Sequence, residues 1–232
     1  VTALALLLLS IGAADLVRPR DRAARGAVLR SVVVGAAVAA TACWGAGLPG
    51  WWAAVVVVAV AAWVLTTPES TILGDAHPWP LVVLAVLAAA ALATGADQPR
   101  PDGWLIDWYD ALAIDALDGV SFTRFALGAA GLVFLVDSAN IIVRMVLAST
   151  DAGVMASEQT LKGGRVLGPI ERILIFALAL SGEYAGLAAV VAAKGILRFP
   201  EISRDVAGRK AEYVLVGSFV SWALALLLVP LL

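Results

Sequence analysis

Apolar stretches of about 16–20 residues recur along the whole of this sequence, each close to the length an α-helix needs to cross a bilayer core of about 30 Å. Ala, Val and Leu dominate them, without the polar alternation that strands of an outer-membrane barrel require. The expected fold class is therefore all-α: a polytopic helical membrane protein with about six to eight membrane segments. Composition agrees, since 62% of residues are apolar and 15% charged, against about 45–50% and 25% in ordinary soluble domains.

Charge position carries more information than charge balance, because the net charge is only −2. The first apolar run, Val1–Val17, is followed by Arg18, Arg20, Arg22, Arg25 and Arg30. A secretory signal carries its basic residues in front; basic residues behind a helix anchor its cytoplasmic end, which places the N-terminus outside. Ser31–Gly47 returns outward. Leu48-Pro49-Gly50 is a tight turn, and the interfacial pair Trp51–Trp52 opens a third helix to Thr66. Residues 67–80 contain no Lys or Arg and are placed inside by counting crossings. Leu81–Thr94 is the fourth helix. Residues 1–95 thus form a four-helix membrane region, 96–120 an external loop, and 121–232 a C-terminal membrane region.

In the external loop, Trp104–Leu117 reads as an amphipathic helix lying in the interface plane. Asp107, Asp110, Asp115 and Asp118 fall in one polar arc, opposite Leu105, Tyr109, Leu112, Ala116 and Leu117. Such an arc is either a solvated face or a divalent-cation site. A fifth helix is expected from Phe125 to Ala148, a polar linker over Ser149–Gly168 and a last span over Ala211–Leu232.

Pro169–Phe199 admits two readings. As one helix it crosses once and leaves Arg198, Arg204, Arg209 and Lys210 outside, against the positive-inside tendency. Broken at Ser181-Gly182 it is a re-entrant or broken helix pair. Pro169 and Glu171 suit the first turn of one arm, Ser181 and Glu183 that of the other, and Lys194 and Arg198 its C-terminus. Ala177, Ser181, Ala185, Ala189 and Ala193 recur every four residues, beside Gly182 and Gly186, a spacing suited to close helix packing in lipid.

Charges within apolar segments are the candidate functional residues, because a charge at mid-bilayer costs at least about 2.5–3.5 kcal/mol and is driven toward the protein interior. Asp137, Asn140 and Arg144 share one face of the fifth helix, as a polar clamp or as part of a pathway. Glu183 would join them from the hairpin tip. Lys194 and Arg198 are expected to snorkel to the interface.

The run Gly164-Arg165-Val166-Leu167-Gly168-Pro169-Ile170-Glu171-Arg172 continues through Ala192-Ala193-Lys194-Gly195-Ile196-Leu197-Arg198-Phe199 to Glu212-Tyr213-Val214-Leu215-Val216-Gly217-Ser218, with Ser221 after it. It resembles a bacterial family of multi-pass membrane proteins known only as a domain of unknown function. The resemblance covers the C-terminal third, while the family's N-terminal His…Asp-Phe pattern is absent. It implies a bacterial inner-membrane location and marks Glu171, Arg172, Lys194, Arg198, Glu212, Tyr213 and Ser218 as positions of interest, with no activity to carry over.

Gly-x-Ser-x-Gly, Walker A and His-Glu-x-x-His patterns are absent. Asp118-Gly119 with Arg124, Gly128 and Asp137 resembles the CDP-alcohol phosphotransferase signature only faintly: the Arg spacing is wrong and position 141 is Ile. Gly74-Asp75 lacks the context of an intramembrane aspartyl protease. One Cys and one His offer no disulfide and no histidine-rich metal centre, and no cofactor is expected. Basic residues without interleaved aromatics argue against nucleic acid, which leaves the lipid bilayer, a second copy or another membrane protein as partners. Two functions fit: translocation of a small solute, ion or lipid along Asp137, Asn140, Arg144 and Glu183, or a non-catalytic membrane subunit that holds a partner.

Overall fold

The computed structural model describes residues 2–18, 25–67, 78–94, 101–148, 164–203 and 209–232. The expected loop features Gly74-Asp75, Lys162 and Arg204 lie outside them. The described residues form ten α-helices and no strand: α1 (Thr2–Leu16), α2 (Arg25–Gly45), α3 (Gly50–Thr66), α4 (Trp79–Ala93), α5 (Trp104–Ala111), α6 (Phe122–Val136), α7 (Ser138–Ala148), α8 (Gly164–Leu180), α9 (Tyr184–Ser203) and α10 (Arg209–Leu226). Short 3-10 turns follow α5 at Asp115–Leu117 and α10 at Val229–Leu231. Among the described residues, two stretches, Val28–Gly45 and Ala211–Leu231, are long and apolar enough to cross a membrane; the bent pair α6–α7 makes a third if it is one span. Helices α1, α3 and α4 are apolar but shorter.

The chain divides into two compact units, one of residues 1–69 with 79–138, the other of 70–78 with 139–232. In the first, α1 is the central element and packs on α6, α2 and α3. Its residues Ala3 to Leu8, Ser10, Ile11, Gly12, Ala14 and Asp15 are all buried. A helix apolar all round is made to be surrounded. Gly12 allows this closeness: a Cβ there would lie 2.9 Å from Val133 Cγ1 and 3.0 Å from the Phe134 backbone. Thr2 reaches Thr123 and Asp15 reaches Ser138, so α1 and α6 run parallel.

Two expected helices are interrupted. The fifth helix of the sequence reading is α6 plus α7, bent by 49° at Asp137, which terminates α6. Asp137 therefore falls in the first unit, at the bend, while Asn140 and Arg144 fall in the second, on α7. The amphipathic helix stops at Ala111. Leu112 N–H bonds back to Tyr109 O, Ala113 takes a φ of 44°, and Ile114 is extended. The Tyr109 hydroxyl donates to Val120 O at 2.8 Å, folding the following chain back, so Asp115 and Asp118 are not on the helix that carries Asp107 and Asp110.

In the second unit α8, α9 and α10 pack on one another. The break expected at Ser181-Gly182 is there: α8 ends at Leu180 and α9 starts at Tyr184. Gly182 has φ 72°, a left-handed conformation that glycine adopts without a Cβ penalty. Two details differ from expectation. Helix α8 begins at Gly164, so Pro169 lies inside it rather than in its first turn. The stripe Ala177, Ser181, Ala185, Ala189 and Ala193 is exposed on the chain. Gly186 alone of its glycines makes a close contact, its Cβ position 3.2 Å from Leu178 Cδ2.

Candidate functional site

Helix α8 carries a carboxylate and a guanidinium side by side, Glu171 and Arg172, and both are buried, at 8% and 2% exposure. Neighbouring residues on a helix point about 100° apart, so each reaches a different set of partners. Glu171 Oε2 accepts from Lys194 Nζ of α9 at 2.6 Å, and Oε1 accepts from Trp222 Nε1 of α10 at 2.7 Å. Lys194 Nζ also lies 5.4 Å from the centre of the Trp222 ring, within range of a cation–π attraction. One ammonium, one carboxylate and one indole thus tie α8, α9 and α10 together.

Arg172 faces the other way. Its NH2 donates to Asn140 Oδ1 of α7 at 2.6 Å and its NH1 to Ser221 Oγ of α10 at 3.2 Å. Gly168, one turn before Arg172, lies beside this arrangement, where even a Cβ would make only ordinary contacts, 3.5 Å from Asn140 Oδ1 and 3.6 Å from Arg172 NH1. An isolated buried ion is far costlier than a paired and hydrogen-bonded one, and these partners are what allow Glu171 and Arg172 to stay inside.

Of the expected pathway residues, Asn140 joins this network. Asp137 sits at the α6–α7 bend, and Arg144 is half-buried on α7. Glu183 is exposed at the α8–α9 turn, where its carbonyl accepts the first helical bond of α9, from Leu187 N–H. Lys194 does not snorkel: it turns inward to Glu171. Arg198 and Tyr213 are half-buried, Glu212 is exposed in the first turn of α10, and Ser218 is buried. The family-like positions that converge are Glu171, Arg172, Lys194 and Ser221, with Trp222 beside them.

A second polar cluster, in the first unit, was hidden in the opening apolar run. Asp15 Oδ2 accepts from Trp63 Nε1 at 2.9 Å and from Ser138 Oγ at 2.6 Å. Arg18 NH2 lies 3.3 Å from Asp15 Oδ1, and Arg18 NH1 donates to Thr67 O at 2.8 Å. The cluster draws together the ends of α1 and α3 and the start of α7's first residue. Its signal in the sequence was a lone carboxylate three positions before an arginine at the close of an apolar helix.

Among the described residues no group of three His, Cys, Asp or Glu side chains is placed to hold a metal ion. Chemically, the second-unit network sets a carboxylate held by an ammonium and an indole N–H beside a guanidinium held by an amide oxygen and a hydroxyl. No family model, no curated protein and no solved structure matches the chain.

Proposed function

We propose that the chain is a multi-pass protein of a bacterial inner membrane that moves a small solute, ion or lipid along the polar groups of its second unit. The observation that carries this reading is the Glu171–Lys194 pair with the Trp222 indole bonded beside it. A cation or proton arriving at Glu171 competes with a tethered ammonium for one carboxylate, which is the elementary step of an exchange site. Lys194, at 23% side-chain exposure against 8% for Glu171, is the partner able to move aside. Its four-carbon stem carries a compact, mobile charge, whereas Arg172 is held on two helices.

Eight membrane segments suit this reading: α1 to α4, the α6–α7 pair, α8, α9 and α10. A 15-residue helix spans only about 22 Å, so the shorter ones fit a locally thinned bilayer or lie partly below its surface. The C-terminal resemblance supports a membrane location and marks the same residues. Purified protein reconstituted in liposomes tests the proposal. With an internal pH dye, potassium and sodium indicators and a fluorescent phospholipid as probes, wild type is expected to pass at least one above empty vesicles. Glu171→Gln, which keeps the bond from Trp222, is expected to cut that flux at least tenfold while staying folded. No flux of any probe, or unchanged flux in the variant, overturns it.

One observation favours the second reading, a subunit that holds another membrane helix. Helix α9 turns Ala185, Ala189 and Ala193 outward, and small residues allow a neighbouring backbone to come close. Ala189→Leu is then expected to abolish co-purification of a partner; in the translocation reading it leaves flux intact.

A further inference from the structure

Helix α2, in the first unit, has two opposite faces. Ser31, Gly35, Ala39 and Cys43 recur every fourth residue and are all buried. A Cβ on Gly35 would lie 2.6 Å from Val60 Cγ1 and 3.0 Å from Ser10 O, so this face is pressed against α1 and α3. Leu29, Val33, Ala37, Ala40 and Trp44 look the other way, and all are exposed. They fall three or four positions apart, which places them in one line along the helix. At 1.5 Å per residue that line is about 22 Å long.

Charge gathers at the start of the line. Arg30, beside Leu29 and one turn before Val33, donates from NH2 to Val17 O at 3.2 Å, just past the end of α1. That is one of the five N–H groups a guanidinium carries, and the others have no partner among the described residues. Arg18 stands opposite, already balanced by Asp15 and bonded to Thr67 O. Leu16, Val17, Arg18 and Arg30 line a cavity of about 500 Å³ that opens to the surface, a size common among small-ligand sites. In the sequence, residues 18–30 hold five arginines against one acid, Asp21.

We infer that this corner between α1 and α2 binds an anionic phospholipid, its phosphate on Arg30 in the cavity and an acyl chain along the outer line of α2. A guanidinium matches phosphate oxygens with paired N–H groups, and arginine clusters at the end of a membrane helix attract anionic headgroups. One leaflet contributes about 15 Å to the bilayer core, so a chain starting at Leu29 reaches about as far as Ala40. A free anion would account for the arginines and not for the apolar line; a zwitterionic lipid would account for the line and not for the unbalanced guanidinium. The inference takes from the proposed function only its membrane location. It concerns a different site, and its test is made in detergent, where no transport takes place.

The experiment is thermal melting of the purified full chain, titrated with short-chain phosphatidylglycerol, with phosphatidylcholine of the same chain length, and with inorganic phosphate. A ligand that binds the folded protein raises its melting midpoint. Phosphatidylglycerol is expected to raise it by at least about 2 °C, and the other two to leave it in place. Arg30→Gln is expected to increase the phosphatidylglycerol concentration needed for half the shift about fivefold. Arg124→Gln is expected to change nothing, because exposed Arg124 sits beside Thr123 at the opposite end of α1. Should Arg30→Gln fail to fold, Val33→Glu decides: a carboxylate on the exposed line, one turn from Arg30, is expected to weaken binding as much. An equal shift with phosphatidylcholine means unselective coating by lipid, and a shift with phosphate alone means a free-anion site; either overturns the inference. So does an unchanged titration in Arg30→Gln or Val33→Glu, or an equal loss in Arg124→Gln.

Discussion

At the scale of single residues, the buried charges differ in what removing them does. Taking away Glu171 alone strands Lys194 and the Trp222 N–H, and removing one partner of a buried pair costs about 3–5 kcal/mol. Glu171→Ala is therefore expected to destabilise the protein far more than the double variant with Lys194→Ala, a non-additivity that thermal melting in detergent measures directly. Asp15 predicts a parallel case. Asp15→Leu leaves Trp63 Nε1 and Ser138 Oγ without their acceptor, at about 1–3 kcal/mol for a buried unsatisfied donor, and frees Arg18 from its carboxylate. An outcome within error of wild type would show that these groups find other partners. Asn140 could be suspected from the sequence because an amide inside an apolar segment must be explained, whereas Glu171, Arg172 and Lys194 were marked only by the C-terminal resemblance, Glu171 being read as a helix-start residue and Lys194 as one that snorkels. Their pairing could not be foreseen, because it depends on how α7, α8, α9 and α10 meet. Asp15 went unnoticed for the opposite reason: it stands so near the end of its apolar run that it read as part of the boundary.

At the scale of helices, apolar periodicity located nearly every element, since a run of Ala, Val and Leu bounded by Pro, Gly or Arg has one helical reading. Interruptions were harder to see. The Ser181-Gly182 break was legible in its glycine, whereas the bend at Asp137 has no Gly or Pro to announce it, and the stop at Ala111 depends on Tyr109 reaching Val120. The small-residue stripe of α9 shows the limit of pattern alone. Spacing identifies a face, and only packing tells whether that face looks in or out. Two substitutions separate the roles of glycine. Gly12→Leu is expected to force α1 from α6, a clash with backbone costing at least about 1–3 kcal/mol. Gly182→Ala meets open space but pays for its positive φ, about 1 kcal/mol. Equal losses in melting temperature would contradict this assignment of strain to one and crowding to the other.

At the scale of the whole molecule, the exposed aromatic residues bear on the membrane reading proposed above. Trp44, Trp51, Trp104 and Trp108 are exposed and lie at the end of α2, the start of α3 and on α5. The Trp44 and Trp104 rings are 6.3 Å apart, so these elements meet at one end of the first unit. In that reading, tryptophans gathered there would sit at the membrane interface. In a single-tryptophan variant keeping Trp108, fluorescence is expected to be quenched most by lipids brominated near the headgroup; in one keeping Trp63, buried beside Asp15, quenching is weak at every depth. Uniform strong quenching of Trp63 would mean that α1 does not surround itself as described. That enclosure bears on how the protein is made. Helix α1 is synthesised before α6 and α7, and the residues that line it, Val133, Phe134 and Ser138, are joined to the chain more than a hundred peptide bonds after it. Until then Asp15 waits in the membrane with an incomplete set of partners, so nascent chains stalled before residue 138 should be the ones a membrane protease destroys.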